Sequence, residues 1–144
     1  MYYLDTAVFL SAHYAEPTSK PISAWLRKQI EPLATSAWAL TECASASGIR
    51  VRRGDISATL AITVLDSIRQ LITESCILLP VQQKDYLQAA SWLADFQLGL
   101  RAGDALHLAI VERNDAMLVS YDMVLLRAAK ALGVATVNPL KSAK

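Results

Sequence analysis

Short apolar runs of strand length alternate with longer stretches of helical periodicity along this chain. That alternation implies βα units and a largely parallel sheet sandwiched by helices. Residues 2–4, 33–35, 76–81, 117–121 and 134–137 read as strands, the second of them weak. Helices are expected over 6–14, 22–30, 37–53, 56–74, 84–97, 104–113 and 123–132. Pro17 and Pro21 interrupt the chain before the second helix, Ser36 is placed to cap the third, and Gly54-Asp55 closes it. In the fourth helix Leu60, Val64, Ile68, Leu71 and Ile72 form the apolar stripe; in the fifth, Tyr86, Ala89, Leu93 and Phe96 do. Gly99 and Gly103 bracket a tight connection into the sixth.

Four acids stand out because each sits in a stretch with no other formal charge. Asp5 is solitary over residues 1–15, Glu42 between Glu31 and Arg50, Asp104 between Arg101 and Glu112, and Asp122 between Asp115 and Arg127. Burying an acid in an apolar segment is costly unless it is paired, protonated or bound to a metal. Asp5 and Asp122 directly follow expected strands, and in open parallel sheets ligands bind beyond the carboxyl ends of strands. Glu42, about two turns into its helix, can lean back over the same rim. Asp104 follows Gly103, which permits close backbone approach. Carboxylates brought together repel one another, and a hard divalent ion such as Mg²⁺ or Mn²⁺ removes the conflict. Such an ion can activate water and offset charge on the leaving oxygen of a phosphodiester. The two histidines and two cysteines lack zinc-ligand spacing.

Each of these residues has a plainer reading. Asp5 and Asp104 also fit helix N-caps, and Asp122 a turn at a strand end. Thr6 and Ser120 fit local capping, or a hydroxyl bonded to a carboxylate or a water. His107 reads as a core or surface histidine, with a catalytic base as the alternative. Arg50, Arg52 and Arg53 read as a solvated helix end that complements the dipole, with RNA-phosphate contact as the alternative. Arg101 either pairs with Asp104 or holds a substrate phosphate. Trp25, Trp38 and Trp92 read as filling the core or an interface, with stacking on bases as the alternative.

At 144 residues the chain is expected to form one domain, residues 1–144, long enough to bury a sizeable core. An apolar fraction of 53% against 19% charged residues implies apolar surface covered by a partner or a second copy. Net charge of +1 argues against a strongly basic nucleic-acid binder. Cys43 and Cys76 read as free thiols in a reducing compartment. No apolar run approaches the ~20 residues of a membrane span, and the first residues lack a signal peptide's basic region. A soluble cytoplasmic protein is expected.

With these residues in view the chain resembles the PIN-domain family, and within it the VapC-type toxins of toxin–antitoxin pairs. Tyr3-Leu4-Asp5-Thr6 is similar to the family's first motif, and Thr35-Ser36 through Leu40-Thr41-Glu42 to the second. Gly103-Asp104-Ala105-Leu106-His107-Leu108-Ala109 closely resembles the third. Leu118-Val119-Ser120-Tyr121-Asp122 resembles the fourth, with serine where threonine is common. The resemblance implies a PIN-like three-layer α/β/α sandwich with a mainly parallel sheet of four to five strands. It implies a Mg²⁺- or Mn²⁺-dependent endoribonuclease, a homodimer, and a VapB-like antitoxin that covers or distorts the site. Asp5, Glu42, Asp104 and Asp122 are then the metal ligands, with Thr6 and Ser120 as supporting hydroxyls. After the fourth motif Met123, Val124, Leu125 and Leu126 stand where many relatives place a further acid, so one ion or two stays open.

Three rival readings share parts of this pattern. An aspartyl-phosphate phosphatase of haloacid-dehalogenase type uses a second Asp two residues after the first, where this chain has Ala7. A receiver domain wants an acid at the end of the third strand, where Pro80-Val81 stands. A catalytically inactive PIN-like interaction module is the non-enzyme reading, and the presence of all four acids argues against it.

Overall fold

The structure is a computed structural model that describes residues 1–141; 142–144, most of the short basic tail, lie outside the described residues. Five strands, β1 (Tyr2–Leu4), β2 (Leu33–Ser36), β3 (Cys76–Leu79), β4 (Met117–Val119) and β5 (Thr136–Val137), pair in the order β3-β2-β1-β4-β5. Every pairing is parallel. Successive side chains of a strand point to opposite faces, so Tyr3 and Leu118 enter one core while Leu4 and Val119 enter the other. The first core is closed by α5 (Gln83–Leu93), α6 (Ala102–Arg113) and α7 (Met123–Ala131). The second is closed by α1 (Thr6–His13), α2 (Ser19–Arg27), α3 (Ala37–Arg53) and α4 (Ala58–Ser75). This is the three-layer α/β/α sandwich expected from the alternation. Among the described residues no helix is long and apolar enough to cross a membrane.

Several local expectations are corrected. Pro21 does not precede α2 but sits in its first turn, where the missing N–H would have had no intrahelical partner anyway. Ser36 stands at the N-cap of α3 yet makes no capping bond, because its hydroxyl is 2.8 Å from the Tyr3 phenol. Gly54 does close α3, in the left-handed conformation with φ 79°. In α4 the buried stripe is Ala61, Val64, Ile68 and Ile72, while Leu60 faces outward. β3 is an edge strand, which leaves Ile77 and Leu78 half exposed.

The fifth helix differs most. It stops at Leu93, a separate 3-10 turn covers Phe96–Leu98, and Tyr86 and Phe96 are exposed. The buried positions are Ala89 and, against expectation for an acid, Asp85. Arg113 explains it: Nε and Nη2 donate to the two Asp85 oxygens at 2.6 and 3.0 Å, and Nη2 also donates to the Pro80 carbonyl at 2.6 Å. One bidentate pair thereby ties the start of α5, the end of α6 and the segment after β3 together.

Candidate active site

The sheet order reverses at its centre. From β1 the chain moves outward through β2 and β3, and then returns to the other side of β1 for β4 and β5. Crevices for ligands form beyond the carboxyl ends of strands at such a switch point, and two of the four solitary acids leave the sheet there. Asp5 follows β1 and caps α1, its Oδ1 accepting from the Val8 N–H at 3.1 Å. Asp122 lies just beyond β4 and caps α7, its Oδ1 accepting from the Val124 and Leu125 N–H groups at 2.8 and 3.0 Å. Asp5 is thus the helix cap that its position suggests, and Asp122, which reads as a turn residue at a strand end, caps a helix as well; neither role excludes a ligand, because capping uses only one carboxylate oxygen of each.

Glu42 comes from α3 and Asp104 from the first turn of α6, where Arg101 rather than Asp104 holds the N-cap position. All four acids line one cavity of about 390 Å³, together with Thr6, Arg101 and His107. The α3 wall of this cavity is Glu42, Ser45, Ala46 and Ile49, a single face at helical spacing. Arg53 continues that face beyond the cavity, with Arg52 at its edge, and both are exposed. Arg50 is engaged elsewhere: its guanidinium pairs with Glu16 and lies 4.4 Å above the Tyr14 ring. Arg101 is exposed at the cavity mouth and, among the described residues, forms no ion pair with Asp104.

The electrostatics of the cavity show charge under strain. Asp5 is 3% exposed, and burial raises its pKa to about 6 although the Ser120 hydroxyl and the Val8 N–H favour the carboxylate. Asp104 is also pushed up, first by burial and then by the negative charges of Asp122 and Glu42. Glu42 behaves oppositely. Burial opposes its charge, but hydrogen bonds and charge from His107, with the Thr6 hydroxyl, outweigh it and hold the carboxyl below its ordinary value. Its Oε2 accepts from the Thr6 hydroxyl at 2.5 Å and from His107 Nε2 at 2.6 Å.

A hard divalent cation fits this donor set, though not as a tightly closed ligand cage. Among the described residues no group of three or more His, Cys, Asp or Glu side chains forms a ready-made metal cluster. Asp5 and Asp122 each spend an oxygen on a helix cap, and Glu42 spends one on Thr6 and His107. The carboxylates thus surround an open cavity rather than crowding within contact distance. Mg²⁺ is suited to such a site, since it uses few carboxylates and keeps several waters. The Glu42 carboxylate also packs closely against α6: a Cβ added to Gly103 would lie 2.1 Å from Oε1.

Three residues of this region were not legible as site residues in the sequence. His107 is 1% exposed and bonded at both ring nitrogens, to Tyr3 and to Glu42. Tyr3 reads simply as a strand residue. Trp38 has a buried indole N–H without a hydrogen-bond partner, close to Gly103 and the Glu42 carboxylate. Of the two readings of Trp25, core or interface, the structure bears out the core: it is 6% exposed and packs edge-on against Tyr2 at 5.4 Å.

The family model of the PIN domain matches residues 2–131. This chain belongs to the PIN-domain family. Solved structures agree on the fold of this PIN domain. VapC20 of Mycobacterium tuberculosis, described as a sarcin-ricin loop cleaving toxin, superposes with a TM-score of 0.74 at 17% identity, over 96% of this chain and 100% of that one. A FitAcB structure from Neisseria gonorrhoeae gives 0.68 at 20% identity, over 96% and 98%. VapBC2 of Rickettsia felis, bound to a DNA fragment from its promoter, gives 0.66 at 16% identity, over 95% and 97%. No curated protein matches the sequence.

Proposed function

We propose that this PIN domain is a Mg²⁺- or Mn²⁺-dependent endoribonuclease that hydrolyses RNA phosphodiester bonds, and that it is the toxin of a toxin–antitoxin pair. One observation carries the chemistry: four acids, each solitary in its own segment, line a single cavity beyond the carboxyl ends of β1 and β4. In this reading Asp5, Glu42, Asp104 and Asp122 hold the cation. Thr6 orients Glu42 through its hydroxyl, and Ser120 supports Asp5. Arg101 at the mouth binds the substrate phosphate, and Arg53 and Arg52 extend the phosphate track along α3. Arg50, already paired with Glu16, has no part in it. A divalent ion bound there lowers the pKa of water and offsets charge on the phosphodiester. Where an aspartyl-phosphate enzyme wants a second Asp, the cavity wall offers Ala7.

The antitoxin and homodimer belong to the same proposal. The Rickettsia neighbour is VapBC2 bound to DNA from its promoter and the Neisseria one is FitAcB, which supports a VapB-like partner here. Leu60 and Ile62, exposed on α4, support a covered apolar face. Cys43 and Cys76 are free thiols, consistent with a reducing, cytoplasmic setting. The test is cleavage of RNA by the purified protein in Mg²⁺ or Mn²⁺, with and without EDTA. Cutting that stops with EDTA and is absent in Asp5→Asn supports the reading; an Asp5→Asn protein that cuts as well as wild type removes it.

A further inference from the structure

The cavity acids are held by unequal means. Asp5 and Asp122 are fixed by backbone N–H groups at helix starts, which are rigid. Glu42 has a longer side chain and lies mid-helix, where no backbone donor is free to hold it. Its Oε2 is instead gripped by Thr6 and by His107 Nε2. His107 is in turn buried, with Nδ1 at 2.8 Å from the Tyr3 hydroxyl, and that hydroxyl is 2.8 Å from Ser36 Oγ. A carboxylate only accepts, so Nε2 carries its hydrogen toward Glu42, and Nδ1 with the Tyr3 and Ser36 hydroxyls continues the chain behind it. The chain of bonds links β2, β1, α6 and α3. A histidine with a purely structural role would be satisfied inside the core; this one reaches out of the core to a cavity carboxylate. With both ring nitrogens occupied it has no lone pair left to serve as a ligand.

We propose that His107 is a positioning residue, anchored through Tyr3 and Ser36, that grips Oε2 of Glu42 and so fixes the carboxylate where it can reach the cation. The inference rests on the metal-dependent reading given above. Outer partners of this kind affect metal affinity by about 10–100-fold when removed. The experiment measures Mn²⁺ binding to the RNA-free full chain by the magnetic-resonance signal of unbound Mn²⁺, alongside thermal unfolding without metal.

His107→Asn, whose amide is too short to reach Glu42, is expected to weaken Mn²⁺ binding about tenfold or more. His107→Gln, whose amide N–H reaches the place of Nε2, is expected to recover most of that affinity. Tyr3→Phe, which removes only the hydroxyl, is expected to weaken binding less, in the same direction. If His107→Asn binds Mn²⁺ as tightly as wild type and only loses thermal stability, the positioning role is overturned. If His107→Asn does not fold, Tyr3→Phe decides, and unchanged affinity overturns the proposal. A wild-type protein that binds no Mn²⁺ overturns both this inference and the metal-dependent reading. One that binds Mn²⁺ with the expected order of variants but cuts no RNA supports the positioning role and removes only the nuclease.

Discussion

Replacing Gly103 by alanine separates the stability of the fold from the fitness of the cavity. The added methyl would lie 2.1 Å from Glu42 Oε1 and 3.2 Å from its carboxyl carbon. Ordinary C···O contacts are about 3.3–3.6 Å, so the carboxylate must retreat by roughly 1 Å. The backbone is not the obstacle: Gly103 lies within the first turn of α6, and its φ is not positive. There alanine gains about 1 kcal/mol of helix propensity. Against that, the retreat weakens the Thr6 and His107 bonds to Oε2, at a cost of about 1–3 kcal/mol. The balance is a loss of no more than about 2 kcal/mol, a fall in Tm of several degrees. A displacement of about 1 Å in a catalytic group costs about a hundredfold in rate. Gly103→Ala should therefore melt cooperatively close to wild type while losing about a hundredfold in RNA cleavage and binding Mn²⁺ more weakly. Wild-type cleavage by this variant would show that the position of Glu42 does not matter and would refute the reasoning.

Other perturbations follow from the same geometry. Asp85→Asn breaks the buried bidentate pair with Arg113 and should cost roughly 3 kcal/mol in urea unfolding while sparing cleavage, since Asp85 lies outside the cavity. Arg113 and the Gln82 N–H hold the Asp85 carboxyl below its ordinary value despite burial. Its contribution is therefore fully present above the unfolded pKa of 3.8 and is lost as pH falls through the depressed folded value. Acid unfolding of Asp85→Asn should accordingly show a weaker pH dependence below about pH 4. Mn²⁺ at about a hundred times its Kd should stabilise wild type by about 2.7 kcal/mol, read as a rise in Tm that Asp104→Asn lacks. Arg53→Ala should reduce the salt dependence of RNA binding by about 0.7 in the log–log slope, whereas Arg50→Ala should leave it unchanged. Sedimentation equilibrium should give twice the chain mass for wild type and a monomer for Ile62→Lys.

What the sequence reveals here is what local pattern can carry. β1, the turn at Gly54 and the strand–helix alternation depend on neighbouring residues, and so does the solitude of Asp5, Glu42, Asp104 and Asp122. What it conceals depends on partners distant in the chain. Asp85 looks like a surface acid until Arg113 arrives from another helix. Tyr86 and Phe96 look like core until the burial of Asp85 turns α5 the other way. Ser36 looks like a cap because nothing in its own segment announces Tyr3. The role of His107 is hidden for the same reason, since Glu42, Tyr3 and Thr6 come from three other segments. In the sequence Gly103 signals only freedom of backbone; the side chain it makes room for emerges in three dimensions.

The most direct test is a crystal of the protein soaked in Mn²⁺, examined for anomalous scattering. The account predicts a peak in the cavity bounded by Asp5, Glu42, Asp104 and Asp122. A map in which Mn²⁺ binds only elsewhere, or not at all, while that cavity stays open to solvent would contradict it.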